Sequence, residues 1–194
     1  GVVSEGFLIK CPEGFKEGDN CLDHFGIKRY EPPEPMSSGG EAEGAPKLSC
    51  PNYSLENYKK YNTLIKDGDQ VIITEKIHGA NSRYVFHNGR MYCGSHKEWK
   101  RFDEKNIWWK ALKQNPWIMS WCLNHPDHIV YGELYGNVGG FKYGCGVNEL
   151  GVAVFDVRYN GEWLEPMSEL LNDLLWVPVL HMGKFNKEHT LKMA

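Results

Sequence analysis

The chain has 194 residues, a formal net charge of −3, and a composition of 41% hydrophobic and 13% aromatic residues. This composition is typical of a globular protein with one sizeable core and excludes general disorder. The net charge gives no support for a nucleic-acid partner, although it is compatible with a local basic groove. No apolar run approaches the ~18 residues that a membrane-spanning helix requires, so we expect no membrane partner.

The six cysteines form neither a Cys-x-x-Cys pair nor a zinc-type group with histidine. Because no signal peptide is visible, this pattern favours reduced thiols and an intracellular location, cytoplasmic or nuclear. The sequence begins at Gly1 rather than Met, and we expect it to be part of a longer protein or a processed product.

Short apolar stretches interrupted by Gly and Pro run through residues 1–30, a pattern typical of the end of a small β-domain. The next stretch, 31–47, is rich in Pro, Gly, Ser and Glu and predicts a linker or a mobile loop. The main domain is therefore expected to cover residues 48–194.

Strands and helices of this domain mix without a βαβ rhythm, which favours an α+β fold over a doubly wound one. The Asn88-Gly89 pair predicts a hairpin between two of the strands. Asp103 and Ser168 are expected to cap helices, and Pro116 to begin one. The predicted strands are 70–76, 82–86, 90–94, 129–134, 152–159 and 162–164, and the predicted helices are 103–114, 116–123, 168–175 and the start of 186–194.

The stretch 75–81 reads Glu-Lys-Ile-His-Gly-Ala-Asn and places Lys76 at the end of an apolar strand. An exposed lysine has a pKa of ~10.4, so only about one amine in a few thousand is a neutral nucleophile at pH 7. Burial or neighbouring positive charge favours the neutral amine, and a strand end inside a cleft can supply such surroundings. Gly79 would allow a tight turn and a close approach to a ligand. Taken alone, Lys-x-x-Gly is more often a solvated lysine before a turn.

This stretch resembles the signature of the covalent nucleotidyltransferases, the superfamily of ATP-dependent ligases and mRNA capping enzymes. His78 and Asn81 replace the Asp and Arg of DNA ligases, and the resulting Lys-x-His-Gly-x-Asn form is similar to that of RNA ligases that seal nicks in duplexes. The resemblance implies that Lys76 attacks ATP and forms a lysyl-AMP intermediate. AMP would pass to the 5′-phosphate of an RNA strand, and a 3′-hydroxyl would then displace it.

The same resemblance implies the fold of a ligase adenylation domain, ATP-grasp-like, with antiparallel sheets flanked by helices. It places Glu75 at the adenine and Asn81 near the ribose or the phosphates. His78 is treated as a polar residue of the site rather than as a general base. The ATP-binding residues that the resemblance implies are Glu75, Ile77, His78, Gly79, Asn81, Glu133 and Phe155.

Two later stretches resemble the next motifs of the family. Residues 131–136 place Glu133 where the family's glutamate contacts the ribose or organises the metal, which implies Mg²⁺ or Mn²⁺ as a cofactor. Residues 154–157 place Phe155 where an aromatic ring stacks on the purine. In a regular strand Asp156 would face away from Phe155, and it is expected to support its neighbours. Without the resemblance, Glu133 would be a surface carboxylate and Phe155 a core ring.

A basic turn lies between these motifs. Related RNA ligases carry a Ser-Arg pair here, whereas His96 follows Ser95 in this sequence, so the role of this position stays open. His96, Lys97 and Arg101 are candidates for contacts with phosphates or RNA, and a solvated basic turn is the alternative. The tryptophans between positions 99 and 121 are assigned to packing.

Residues 1–33 resemble the end of the OB-like domain that precedes the nucleotidyltransferase domain in one group of RNA ligases. Two later family motifs, a Glu-Gly followed by apolar residues and a Lys-x-Lys, are not found after the stretch 154–157. Their lysines would stabilise charge on the α-phosphate, so we expect a C-terminally incomplete domain that is weakly active or inactive by itself.

The favoured interpretation is a monomeric ATP-dependent RNA ligase that joins 5′-phosphate and 3′-hydroxyl ends in nicked duplexes, a role in RNA repair. A DNA ligase or capping enzyme is the first alternative, and His78 and Asn81 argue against it. The second alternative is a truncated or degenerate nucleotidyltransferase fold that binds RNA or a partner without catalysis. The absent motifs favour this second alternative.

Overall fold

The computed structural model describes residues 10–16, 19, 24–26, 42–138 and 140–193. The chain separates into two units, Gly1–Pro35 and Met36–Ala194. In the first unit the backbone N–H of Phe15 donates to the carbonyl oxygen of Pro12 at 3.3 Å, and the Phe15 and His24 rings lie 5.0 Å apart. Most of the residues expected to end an OB-like domain lie outside the described residues, and that expectation stays a prediction.

The described part of the second unit consists of nine strands and four helices. In chain order they are β1 (Ala42–Glu43), α1 (Tyr58–Tyr61), β2 (Gln70–Thr74), β3 (Ala80–His87), β4 (Arg90–Gly94), β5 (Trp99–Lys100), α2 (Ile107–Gln114), α3 (Pro116–Asn124), β6 (Ile129–Gly136), β7 (Leu150–Tyr159), β8 (Glu162–Trp163), β9 (Val179–Lys184) and α4 (Lys187–Met193).

The strands form two antiparallel sheets. The larger has seven strands in the order β1-β5-β4-β3-β6-β7-β8, and the smaller pairs β2 with β9. The predicted α+β class is therefore confirmed. Strand β1 falls within the stretch 31–47, so the end of that stretch contributes to the larger sheet rather than only linking two domains.

The hairpin between β3 and β4 has the two-residue turn that the sequence predicts. Asn88 and Gly89 have φ values of 49° and 80°, the left-handed conformation that a tight hairpin needs at both central positions. This turn fixes the register, which runs from His87 opposite Arg90 to Arg83 opposite Gly94.

One face of the larger sheet carries the main hydrophobic core. Tyr84, Val130 and Leu134 of the central strands have no exposed surface, and α2 and α3 pack against them through Leu112 and Ile118. These helices cover one sheet face with apolar side chains. The opposite face carries a smaller buried cluster that includes Val85 and Tyr131, together with the polar side chains of Asn81 and Glu133.

A β-bulge at Phe155 determines which side chains reach that opposite face. Tyr131 pairs with Asp156 and Gly132 pairs with Val154, so Phe155 has no partner on β6. The bulge breaks the alternation of the strand, and Phe155 and Asp156 both contact Tyr53. The Tyr53 and Phe155 rings are 4.7 Å apart, and the Tyr53 hydroxyl donates to Asp156 Oδ2 at 3.0 Å. The expectation that Asp156 faces away from Phe155 is therefore wrong.

The helices predicted after Asp103 and after Ser168 differ from those in the structure. Helix α2 begins after Asn106, whose side chain accepts from the backbone N–H of Trp108, whereas Asp103 accepts from Lys105 in the preceding turn.

Ser168 caps no α-helix, and only a 3₁₀ turn, Glu169–Leu171, follows it. The chain then extends to pair with β7 through hydrogen bonds of Val154 with Leu175 and Val177, which excludes a helix to Leu175. The predicted helices at 116–123 and 186–194 are confirmed with small shifts of their ends. Among the described residues, no helix is long and apolar enough to cross a membrane.

We expect Asn106→Ala to destabilise the protein by about 1 kcal/mol, because it removes the side chain that caps α2. Asp103→Ala is the matched control and should have a smaller effect, since its side chain caps only a turn. Urea unfolding of both variants tests this. Equal losses of unfolding free energy, or a larger loss for Asp103→Ala, would contradict the assignment of the cap.

Candidate active site

The segment 75–79 connects the small sheet to the large one. Strand β2 ends at Thr74, two residues earlier than predicted, and the backbone N–H of Glu75 then donates to the carbonyl oxygen of Pro178 at 2.8 Å. The Ile77 side chain is buried, whereas those of Lys76 and His78 are exposed. The segment is thus anchored through Ile77, and it presents Lys76 to solvent rather than in the partly buried environment expected from the sequence.

Glu133 of β6 fixes the end of this segment. Its Oε1 accepts from the backbone N–H of Gly79 at 3.0 Å. A Cβ on Gly79 would lie 2.0 Å from the carbonyl oxygen of Leu134, so only glycine allows this approach. The glycine is required by contact with β6, rather than by a tight turn or by a ligand as the sequence interpretation assumed.

Asn81, Glu133 and Ala153 lie opposite one another on β3, β6 and β7. Opposed residues of antiparallel strands share one face of the sheet, so these side chains form a row beside the Lys76 segment. The Asn81 side-chain oxygen is buried without a hydrogen-bond partner among the described residues. A hydroxyl or amino group of a ligand would satisfy it.

A small apolar cluster lies on one side of the segment. Ile77 packs with Ala153 and Val177, and the rings of Tyr135 and Phe155 contact this cluster. Phe155 is only partly buried, which leaves part of an aromatic face beside the Lys76 segment. Such a surface suits a flat heterocycle.

A cleft of about 380 Å³, lined by both polar and apolar side chains, lies on the other side of Asn81. The turn at 95–98 contributes His96 and Lys97 to it, as the sequence interpretation requires for phosphate contacts. Trp108 closes one wall, and its Nε1–H donates to the carbonyl oxygen of Asn81 at 3.0 Å. Glu98 also lines the cleft, and its carboxylate pairs with the buried Lys100 at 2.8 Å. The Glu98 charge is thus offset, and Lys97 adds positive charge to the cleft.

Arg101 does not line the cleft. Its positive charge acts on Glu43 of β1, where it lowers the carboxyl pKa against the larger raising effect of burial. Its contact with phosphates stays a prediction.

Arg83 is a buried cation that the sequence interpretation missed. The side chain is 1% exposed, its Nε–H donates to Ser95 and its Nη1–H donates to Cys50 at 2.9 and 3.2 Å. The guanidinium also lies 4.6 Å from the Trp99 ring centroid. In the part of the chain that the structure describes, no carboxylate pairs with it within salt-bridge distance. Arg83 therefore holds the turn that carries His96 and Lys97.

Tyr143 was missed as well. Its hydroxyl accepts from the backbone N–H of His78 at 2.8 Å, so the loop between β6 and β7 holds the Lys76 segment from the solvent side. The Phe141 ring lies 5.5 Å from the His78 ring and is perpendicular to it.

Partial burial raises the pKa of the Glu133 carboxyl, and the Gly79 hydrogen bond and the charges of Lys76 and His78 oppose this shift. Burial likewise raises the pKa of Asp156, against hydrogen bonds from Tyr53 and Val157. Glu133 is partly buried, and a bound cation would offset the cost of burying its charge.

The described residues contain no group of three or more His, Cys, Asp or Glu side chains that could hold a metal ion. One carboxylate, Glu133, is nevertheless enough for Mg²⁺ or Mn²⁺ when phosphate oxygens and water supply the remaining ligands. The residues of the site thus fit a cation that arrives with a polyphosphate, and they do not fit a metal held by protein alone.

We expect Glu133→Gln to change stability in a pH-dependent way. The variant keeps an oxygen for the Gly79 N–H and removes a partly buried charge. Because the folded-state pKa is raised, ionisation of Glu133 costs folding free energy as the pH rises through that pKa.

The variant should therefore be more stable than wild type at about pH 7, an advantage that disappears below the ordinary value of 4.5. Urea unfolding at both pH values tests this. A stability difference that does not change with pH would contradict the assigned shift.

A model of the RNA ligase family matches residues 69–193. Among solved structures, a lysine-to-alanine mutant of Naegleria gruberi RNA ligase with ATP and Mn is similar, with a TM-score of 0.67 and 21% identity over 94% of this chain and 58% of that chain. A lysine-to-methionine mutant with AMP and Mn gives 0.68 and 20% over the same shares, and the ligase with PPi gives 0.66 and 22% over 91% and 57%.

The comparison with curated proteins gave no match. At these identities the structural matches show the fold, and the chain spans less than two thirds of the length of the ligases that it resembles. The family match covers more than half of the chain, from just before β2 through α4, and includes Lys76, Glu133 and Phe155. The chain belongs to the RNA ligase family.

Proposed function

We propose that the protein is an ATP-dependent RNA ligase that works through a lysyl-AMP intermediate on Lys76. The observation that supports this most directly is the position of the Lys76 segment. It is fixed to β6 by Gly79 and Glu133. Its Ile77 packs in an aromatic apolar cluster, and Asn81, which follows it, lines the cleft that contains His96 and Lys97. An adenylate needs these three elements: a surface for the base, polar groups for ribose and phosphates, and a nucleophile between them.

The first step transfers AMP to the protein. The Lys76 amine attacks the α-phosphorus of ATP, a nitrogen–phosphorus bond forms, and pyrophosphate leaves as the amine loses its proton. The adenine would lie against Phe155 and Ile77, with Glu75 at its edge. Asn81 would contact the ribose or the phosphates, and His96 and Lys97 the departing phosphates. A Mg²⁺ or Mn²⁺ ion held by Glu133 and phosphate oxygens would neutralise the developing charge.

The second and third steps join the strands. An oxygen of the RNA 5′-phosphate attacks the AMP phosphorus, and the bond to Lys76 breaks. The 3′-hydroxyl of the neighbouring strand then attacks the activated 5′-phosphate, a phosphodiester forms, and AMP leaves. The substrate would be a nicked duplex, and the setting RNA repair inside the cell by a monomer with an OB-like N-terminal part.

The complexes of Naegleria gruberi RNA ligase with ATP or AMP and Mn support the nucleotide and metal of this proposal. They concern a protein that is about one fifth identical over the matched residues, so the roles of individual residues here rest on geometry. A non-catalytic fold that only binds RNA is the alternative, and it would not require a lysine on a segment fixed at both ends.

Replacement of Lys76 tests the nucleophile. Full-length protein with Lys76→Ala, incubated with radiolabelled ATP and Mn²⁺, should form no covalent AMP adduct, because no other described amine lies on the fixed segment 75–79. Lys59→Ala, at an exposed lysine of α1, is the matched control and should label like wild type. An adduct that survives in Lys76→Ala would place the nucleophile elsewhere, and a wild type that never labels would favour the non-catalytic alternative.

A comparison of nicked substrates tests the choice of RNA. Duplexes with RNA or DNA on the 3′-hydroxyl side of the nick differ only in the 2′-hydroxyl there, the group that lets a protein distinguish the two. We expect faster sealing with RNA at this position. Equal rates, or a preference for DNA, would favour a DNA ligase instead.

A further inference from the structure

We propose that Phe141 and Lys142 form a contact site for the RNA strand end, where the Phe141 ring stacks on a base and the Lys142 ammonium pairs with a phosphate. This site rests on the proposed function, since it supplies the second substrate of the same reaction. It lies in the loop between β6 and β7, beside the Lys76 segment.

The loop is fixed in place at Tyr143. The Tyr143 hydroxyl accepts from the backbone N–H of His78, and its ring lies 5.4 Å from that of Tyr135. Tyr143 has a φ of 47°, a left-handed conformation that costs free energy in a bulky residue and persists only where the surroundings impose it. The residues just before Tyr143 therefore have a defined position next to the nucleophile.

Phe141 keeps most of its ring in water at this position. It is 62% exposed and contacts His78 in a perpendicular arrangement that covers only part of the ring. An exposed aromatic ring on a fixed loop is a surface on which a nucleobase can stack without regard to sequence.

Lys142 follows directly and is exposed. Among the described residues no carboxylate pairs with it, and the Glu149 side chain of the same loop accepts from the backbone N–H of Gly146 instead. A free ammonium group beside an exposed ring matches the alternation of phosphate and base along a single strand.

The adenine of ATP is assigned to Phe155 rather than to Phe141. Ile77 faces the cluster that contains Phe155, whereas the exposed His78 contacts Phe141. The two aromatic rings therefore contact different residues of the Lys76 segment. Phe155 is assigned to the nucleotide, and the exposed Phe141 to the strand that receives AMP from Lys76.

The test uses the full-length protein and separates the two substrates. AMP-adduct formation with ATP and Mn²⁺ requires no RNA, and sealing of a nicked RNA duplex is then measured at saturating ATP.

Phe141→Ala should form the adduct within about twofold of wild type and raise KM for the nicked duplex by about tenfold, the loss expected of one stacking contact. Phe141→Trp keeps an aromatic ring and should have a KM for the nicked duplex close to that of wild type. Lys142→Ala should lower the slope of binding against salt by about one phosphate contact.

Tyr159→Ala is the matched control, because this partly exposed aromatic residue lies at the far end of β7 and stacks on His128. It should leave KM for RNA unchanged. Circular dichroism checks that each variant is folded.

An unchanged KM for the nicked duplex in Phe141→Ala would overturn the RNA contact site. A loss of the AMP adduct would also overturn it, because it would show that Phe141 acts on the nucleophile. If wild type forms neither adduct nor sealed product, the proposed function fails and takes this inference with it. If wild type forms the adduct and seals the nick, and Phe141→Ala has the same KM for the nicked duplex, the RNA contact site is wrong and the proposed function stands.

Discussion

The close approach of Gly79 to β6 is the constraint on which the site depends. A side chain at this position would collide with the carbonyl oxygen of Leu134, and the Gly79 N–H donates to Glu133. The contact fixes the end of a segment whose other end is held by the hydrogen bond from Glu75 to Pro178. Lys76 lies between these two points, so its position is set by backbone contacts rather than by its own side chain.

The two faces of the larger sheet carry different kinds of side chain. Its one face is covered by α2 and α3 and buries apolar side chains, while the other carries the row of Asn81 and Glu133. The bulge at Phe155 places two consecutive side chains of β7 on the face that carries Asn81 and Glu133. Tyr53, from a segment before β2, contacts both of them and joins that segment to the site.

The sequence predicted the features that depend on neighbouring residues. The Asn88-Gly89 hairpin is local, because its conformation follows from the residues within it. The position of the Lys76 segment depends instead on the contacts of Gly79 with β6 and of Glu75 with Pro178. The helix expected after Ser168 does not form because that stretch pairs with β7, a partner that local propensity cannot reveal. The bulge at Phe155 likewise arises from the register against β6. Tyr143 and Tyr53 act through contacts across 65 and 103 residues, for which the sequence carries no local signal.

Two positive side chains lie at the turn 95–98, although the chain has a net charge of −3. Arg83 is buried against this turn, and Lys97 lines the cleft. Removing Arg83 from water is costly, and its bonds to two backbone carbonyls and to the Trp99 ring offset that cost. The arrangement holds the turn beside Asn81, as the proposed nucleotide site requires.

The most direct test of this account is to locate AMP on the protein. Full-length wild type is incubated with ATP and Mn²⁺ without RNA, digested under conditions that preserve the phosphoramidate, and analysed by tandem mass spectrometry. The account predicts AMP on Lys76 and on no other lysine. AMP on a lysine outside the segment 75–79 would contradict it.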